Sequence, residues 1–112
     1  MKTISKPWGA EIWIEVNDRY VMKKLIMNKD HRCSLQYHEK KHETFYVLSG
    51  KMLLRYGENK DELTELHMLP GDSFVLPSGT IHQMQALEDS EYLECSTPEL
   101  DDVIRLQDDY GR

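Results

Sequence analysis

Seven short β-rich runs, each bounded by a turn-forming cluster, constrain this chain more than any other feature of its sequence. They are EIWIEV (11–16), YVMKKLIM (20–27), CSLQYH (33–38), TFYVLS (44–49), MLLRYG (52–57), DSFVLP (72–77) and EYLECS (91–96). β-Branched and aromatic residues suit a pleated, half-buried surface, while NKDH, SGK, LPGD and LPSG bring the Gly, Pro, Asn and Asp that turns require. Only the tail PELDDVIRL (98–106) reads as helical. Many short strands in 112 residues predict an all-β fold, closed as a barrel or rolled into two sheets so that few edges stay open. One domain over 1–112 is expected, without internal repeats or low-complexity tracts.

The β rhythm decides how His38-Glu39-Lys40-Lys41-His42 is read. The pentapeptide matches the H-E-x-x-H pattern of zinc proteases, which needs a helix to bring both imidazoles to one side of a metal. Its flanks, CSLQY and TFYVLSG, are β-type and close on Ser49-Gly50, leaving a helix nowhere to extend. In a strand, by contrast, residues two apart share a face. Gln36 and His38 then point the same way. After the turn EKKH, Glu43 heads the next strand with Phe45 and Val47 on its own, inward face. His82 enters through Pro77-Ser78-Gly79, a rigid turn that sets where its imidazole projects. Any one histidine is ordinarily a hydrogen-bonded surface or core residue. Gln36, His38, Glu43 and His82 together make a set of metal-ligand type. Two imidazoles, a carboxylate and an amide oxygen suit Zn²⁺, the expected metal, and the spacing also accommodates Mn²⁺, Fe²⁺, Co²⁺ or Ni²⁺.

Charge narrows the partners. A formal net charge of −6 argues against nucleic acid and anionic membranes, both of which call for clustered Lys and Arg. No apolar run approaches the about 20 residues of a membrane span, and Met1 opens no signal segment, so a cytoplasmic protein is expected. Cys33 and Cys95 are then expected as free thiols.

The ligand spacing resembles the two motifs of the cupin superfamily. Gln36 through Gly50 is similar to the first, with carboxylate Glu43 followed by six residues and then Gly50; Gly71, Pro77, Gly79 and His82 are similar to the second. Gln36 stands where most cupins have His, and in this respect the chain resembles the mannose-6-phosphate isomerases. It is most similar to the C-terminal cupin module of the type II enzymes, where that module is fused to a nucleotidyltransferase. KPWG (6–9) resembles that module's R-P-W-G, SLQYHEKKHETFYVLSG its first motif, LPSGTIH its I-P-x-G-x-x-H, and DDVIRLQDDYGR (101–112) its terminal D-D-I-V-R-x-x-D-x-Y-G-R. With no nucleotidyltransferase in the chain, only the isomerase-like module is implied. Lys41, Gln83 and Ala86 depart from its usual Arg, Arg and Asn, and Glu39 and Lys40 stand where it often has His.

The resemblance implies a single cupin, a double-stranded β-helix or jelly-roll barrel with a short C-terminal helical tail, and a divalent metal held by Gln36, His38, Glu43 and His82. It implies a sugar or sugar-phosphate ligand, a homodimer, and aldose–ketose isomerisation, as from mannose 6-phosphate to fructose 6-phosphate. Glu94 and Lys41 are the candidate catalytic residues. Glu94 would share an inward face with Tyr92 and Ser96, and the other reading of it is a core hydrogen bonder. Lys41 has the alternative of a solvated turn lysine. Arg105 and Arg112 are the candidate phosphate ligands, with Lys23 and Tyr110 as further substrate contacts, although either arginine can pair instead with Asp101, Asp102, Asp108 or Asp109. Trp8, Trp13 and the methionines read as packing residues. The competing functions are another metal-cupin activity, such as an epimerase or dioxygenase, and a sugar-binding module without turnover.

Overall fold

A computed structural model describes residues 1–112 as eleven strands without a helix. The strands are β1 (Lys2–Lys6), β2 (Gly9–Val16), β3 (Val21–Met27), β4 (Leu35–Tyr37), β5 (Glu43–Ser49), β6 (Met52–Gly57), β7 (Thr64–Met68), β8 (Ser73–Leu76), β9 (Ile81–Ala86), β10 (Ser90–Ser96) and β11 (Ile104–Gln107). They form a six-stranded sheet in the order β1-β2-β3-β10-β5-β8 and a five-stranded sheet in the order β11-β4-β9-β6-β7. Every pairing is antiparallel. The result is the two-sheet roll expected from the strand rhythm. No helix is long and apolar enough to cross a membrane.

Alternation separates a buried face from an exposed one on each central strand. In β3, Val21, Lys23, Leu25 and Met27 are buried while the residues between them are half-buried; in β10, Ser90, Tyr92, Glu94 and Ser96 point inward. Between the sheets lies one apolar core that includes Trp8, Phe45, Val47, Leu54 and Tyr92. Met27, Met52, Met68 and Met84 are fully buried within it, the packing role expected of them. Polar inner-face residues occur only on part of the inner surface, and there the apolar filling gives way to a cavity.

Two expectations change. Residues 98–106 do not form a helix: Leu100 N–H bonds Pro98 O and Val103 N–H bonds Asp101 O in tight turns, and β11 then pairs with β4. Ile104 and Arg105 sit opposite Tyr37 and Gln36, so a strand edge that needed a partner won over a weak local helical pattern. Strands β1, β7 and β9 lay outside the seven runs: KTISK and TELHM are polar, mostly exposed edge strands with little apolar alternation, and IHQMQA intersperses polar residues among its apolar ones. Cys33 and Cys95 are free thiols, as expected.

The four edges differ from the interior strands in kind. β1 carries Lys2 and Lys6, β7 exposes Thr64, Glu65 and His67, β8 is four residues long between turns, and β11 shifts register after Arg105.

Candidate metal centre and its cavity

Cross-strand register assembles the centre. Gln36 on β4 lies opposite both Arg105 on β11 and His82 on β9, so these three share the inner face of the five-stranded sheet. His38 follows β4, and Glu43 heads β5 in the facing sheet. The turn before β9 has the Thr80 N–H to Pro77 O bond of a four-residue turn, with Gly79 at φ 85°. That left-handed position favours glycine, and the Gly79 N–H bonds the His38 carbonyl at 2.7 Å, tying the two histidine segments together.

The donor atoms of His38, Glu43 and His82 all lie within 4.8 Å of one another, and all three residues are buried. His38 Nε2 and His82 Nε2 stand 3.2 and 3.1 Å from Glu43 Oε1. Their other nitrogens face carbonyls: His38 Nδ1 meets Asp102 O, and His82 Nδ1 meets Thr80 O at 3.0 Å. A carbonyl only accepts, so each Nδ1 carries the hydrogen and each Nε2 of the neutral ring turns a lone pair toward an anionic oxygen. That arrangement is repulsive unless both rings are protonated or a cation lies among the three atoms. Two charged imidazoles would stand with ring centroids 5.1 Å apart, whereas one divalent cation supplies the same charge without that repulsion.

Glu43 Oε2 points to the same conclusion. It is buried without a hydrogen-bond partner: Lys41 Nζ lies 3.2 Å away, a charge contact out of line for a hydrogen bond. The donor set and the backbone-anchored tautomers therefore fit a divalent metal. Gln36, the fourth expected ligand, lines the adjoining cavity, and its Oε1 accepts a 2.6 Å bond from Ser34 Oγ.

The cavity measures about 360 Å³. That is within the ~300–1,000 Å³ common for small-molecule sites. Its walls bring together Gln36, His38, His82, Lys41, Glu94, Lys23, Arg105 and Arg112, leaving Tyr110 as the one expected site residue outside the metal triad that it does not include. Tyr110, expected as a substrate contact, packs against the core outside the cavity lining and lies parallel to His31, with the Arg112 guanidinium 5.8 Å from its ring. Lys41 Nζ bonds Glu94 Oε2 at 3.2 Å. Burial and the charge of Glu43 raise the Glu94 carboxyl, with Lys41 and Lys23 only partly opposing them. Burial disfavours the Lys41 ammonium, yet Glu94 and Glu43 together hold its pKa above the usual lysine range.

The two arginines part company. Arg112 is engaged by Asp108 at 3.0 Å, while Arg105 is exposed and makes no ion pair. Gln83 and Ala86, two of the positions that depart from the module's pattern, are not among the residues lining the cavity: the Gln83 amide N–H donates to Cys33 O, and Ala86 belongs to the core. Sequence reasoning missed Glu11. It lines the cavity, accepts a 3.0 Å bond from Trp13 Nε1, and pairs with Lys23 at 3.1 Å and Lys6 at 3.6 Å. The signal was present in the alternation of EIWIEV, which puts Glu11 and Trp13 on one face. Lys23 also stands 5.1 Å over the Trp13 ring, and Lys2 lies at the same distance, so Trp13 packs against cations.

The cupin-domain family profile matches residues 25–95. The chain is 30% identical over 116 aligned positions to xanthan biosynthesis protein XanB of Xanthomonas campestris pv. campestris, covering 99% of this chain and 24% of that protein. It is 28% identical to mannose-1-phosphate guanylyltransferase of Escherichia coli, covering 99% and 23%. The chain thus spans about a quarter of the length of these curated relatives, in their C-terminal region. Among solved structures, KdgF from Halomonas sp. shares the fold, with a TM-score of 0.75 at 22% identity over 90% of this chain and 89% of that one.

Proposed function

The chain belongs to the cupin-domain family, and on that premise we propose that it is a metal-dependent aldose–ketose isomerase of a sugar phosphate, converting mannose 6-phosphate to fructose 6-phosphate or a related pair. The observation that carries this reading is the Lys41–Glu94 pair, 3.2 Å apart, lining the same cavity as the imidazoles of His38 and His82.

His38, Glu43 and His82, with Gln36 beside them, would hold a divalent metal, Zn²⁺ foremost, which when bound supplies Lewis-acid polarisation of the sugar's oxygens. The remaining chemistry belongs to the chain. Glu94, raised by burial, takes the proton from C2 and returns it to C1, while the hydroxyl proton passes from O2 to O1. Lys41 keeps its charge through the cycle, so its ammonium steadies the Glu94 carboxylate and offers a donor to the enediol oxygens. Arg105, which lines the cavity without an ion pair, would take the phosphate through two parallel N–H bonds. The apolar walls, including Trp8, Phe45 and Met84, limit water beside the reacting carbons.

A binding module without turnover was raised by departures at Lys41, Gln83 and Ala86. Two of these are not among the residues lining the cavity and the third is bonded to Glu94, which favours the catalytic reading. The test is proton exchange at C2 of mannose 6-phosphate in D₂O, followed by NMR with metal-loaded protein and a chelated control. Chelator-sensitive exchange with appearance of fructose 6-phosphate is expected; bound metal without either product or exchange overturns the isomerase.

A further inference from the structure

The D-D-V-I-R stretch enters the reading above only through Arg105, yet Asp102 fastens it to the metal site at four points. Its carboxylate accepts the backbone N–H groups of Glu39 at 3.0 Å, Lys40 at 2.7 Å and Lys41 at 2.9 Å. Its backbone carbonyl accepts the Nδ1–H of His38. Three successive N–H groups on one carboxylate set the conformation of the loop between β4 and β5. That loop follows His38, contains Lys41 and ends at Glu43. From its other side it is held by the Gly79 N–H on the His38 carbonyl and by Ser78 Oγ–H on the Lys40 carbonyl, both at 2.7 Å. The neighbours of Asp102 meanwhile reach the cavity: Asp101, Val103 and Arg105 line it.

We propose that Asp102 is a positioning residue, which clamps the C-terminal strap to the β4–β5 loop and so aims His38 Nε2 at the metal. The carbonyl fixes the tautomer and tilt of the ring. The carboxylate fixes the backbone that carries the ring, and Lys41 with it. Metal site and cavity rim are in this way held by one residue, although that residue touches neither metal nor sugar. Partners of this kind on a ligand's second nitrogen orient the ring and raise its basicity. The inference rests on His38, Glu43 and His82 being metal ligands and is independent of turnover.

Co²⁺ titration of the metal-free protein, followed by visible absorption, tests it in the wild type, Asp102→Asn and Asp102→Ala. A dissociation constant about 10- to 100-fold weaker is expected in the alanine variant, with asparagine between, since one amide oxygen can cap only part of the loop. A role confined to loop order would not move the ring, so the His38 tautomer is read in parallel by ¹⁵N NMR of the metal-free proteins. Nδ1–H is expected in the wild type, and a mixture of tautomers in the variants. Should Asp102→Ala fail to fold, the near-isosteric Asp102→Asn carries both readouts. Wild-type Co²⁺ affinity in the folded variants overturns the proposal, as does weakened affinity with an unchanged tautomer. A wild type that binds no Co²⁺ removes the ligand set and this inference together, whereas Co²⁺ binding without exchange at C2 removes the isomerase alone.

Discussion

Glu11 on β2 and Glu43 on β5 are both buried glutamates on the inner face of the six-stranded sheet, and their surroundings are opposite. Around Glu11 every neighbour donates or is cationic: Trp13 Nε1, Lys23 and Lys6. Burial would raise its carboxyl, but these contacts hold it below the ordinary value. Around Glu43 one oxygen faces two imidazole nitrogens whose partner nitrogens already hold the hydrogens, and the other has only the Lys41 ammonium at 3.2 Å, without a hydrogen bond. A buried charge is tolerated when fully partnered and otherwise marks a place built for something else. Glu11 is thus a finished structural site, and Glu43 one that still calls for a cation.

The sharpest break in this comparison is expected at the unfinished site. His82→Ala should abolish stoichiometric metal retention, measured by elemental analysis after gel filtration; full occupancy in a folded variant would remove His82 from the ligand set. Next, Glu94→Gln should leave the metal in place and lower turnover by about 10²–10⁴-fold, the usual range for loss of a general base. Normal C2 exchange in that variant would shift the base elsewhere.

The finished site should answer in stability instead. Glu11→Gln breaks one partner out of the Lys23 pair and is expected to cost about 3 kcal/mol, the low end for a buried pair because the cavity admits water. Urea unfolding measures it. The folded-state pKa of Glu11 lies below its ordinary value, so its contribution is complete above the unfolded pKa and disappears as pH falls through the folded one. Wild type and variant should therefore differ at pH 7 and converge in acid; an equal gap at both pH values would mean that ionisation of Glu11 is not what stabilises. The smallest effect belongs to the rim. Arg105→Ala should weaken sugar-phosphate binding about 10-fold with metal content unchanged, from the loss of one charged hydrogen-bonding group. Equal affinity for phosphorylated and unphosphorylated sugar in the wild type would contradict a phosphate role for Arg105.

Much of the unfinished site could be read along the chain because its geometry is local. Two-residue alternation puts Gln36 and His38 on one side, one loop carries the chain from His38 to Glu43, and Pro77-Ser78-Gly79 is a turn whose chemistry is written in three letters. Glu94 was legible for the same reason, sharing alternation with Tyr92. Apart from the polar edge strands β1 and β7, whose own residues carry little signal, the failures are non-local. β11 has a weak helical pattern and becomes a strand only because β4 offers an edge. Tyr110 and Arg112 are near neighbours in a terminal motif, yet only Arg112 reaches the cavity while Tyr110 packs beside His31. Glu11 and Asp102 look like ordinary surface acids until Lys23 and the 39–41 backbone are brought to them from other strands.

The four sheet edges bear on what happens when many copies of this chain are crowded together. An open edge is a row of unpaired N–H and C=O groups on which a neighbouring chain can template another strand. Here the row is interrupted differently at each place: by lysines on β1, by Glu65 and His67 on β7, by brevity on β8, and by the register shift on β11. End-to-end growth into fibrils is therefore obstructed at four points by four unrelated means, and no single substitution along one edge would open a continuous path for it.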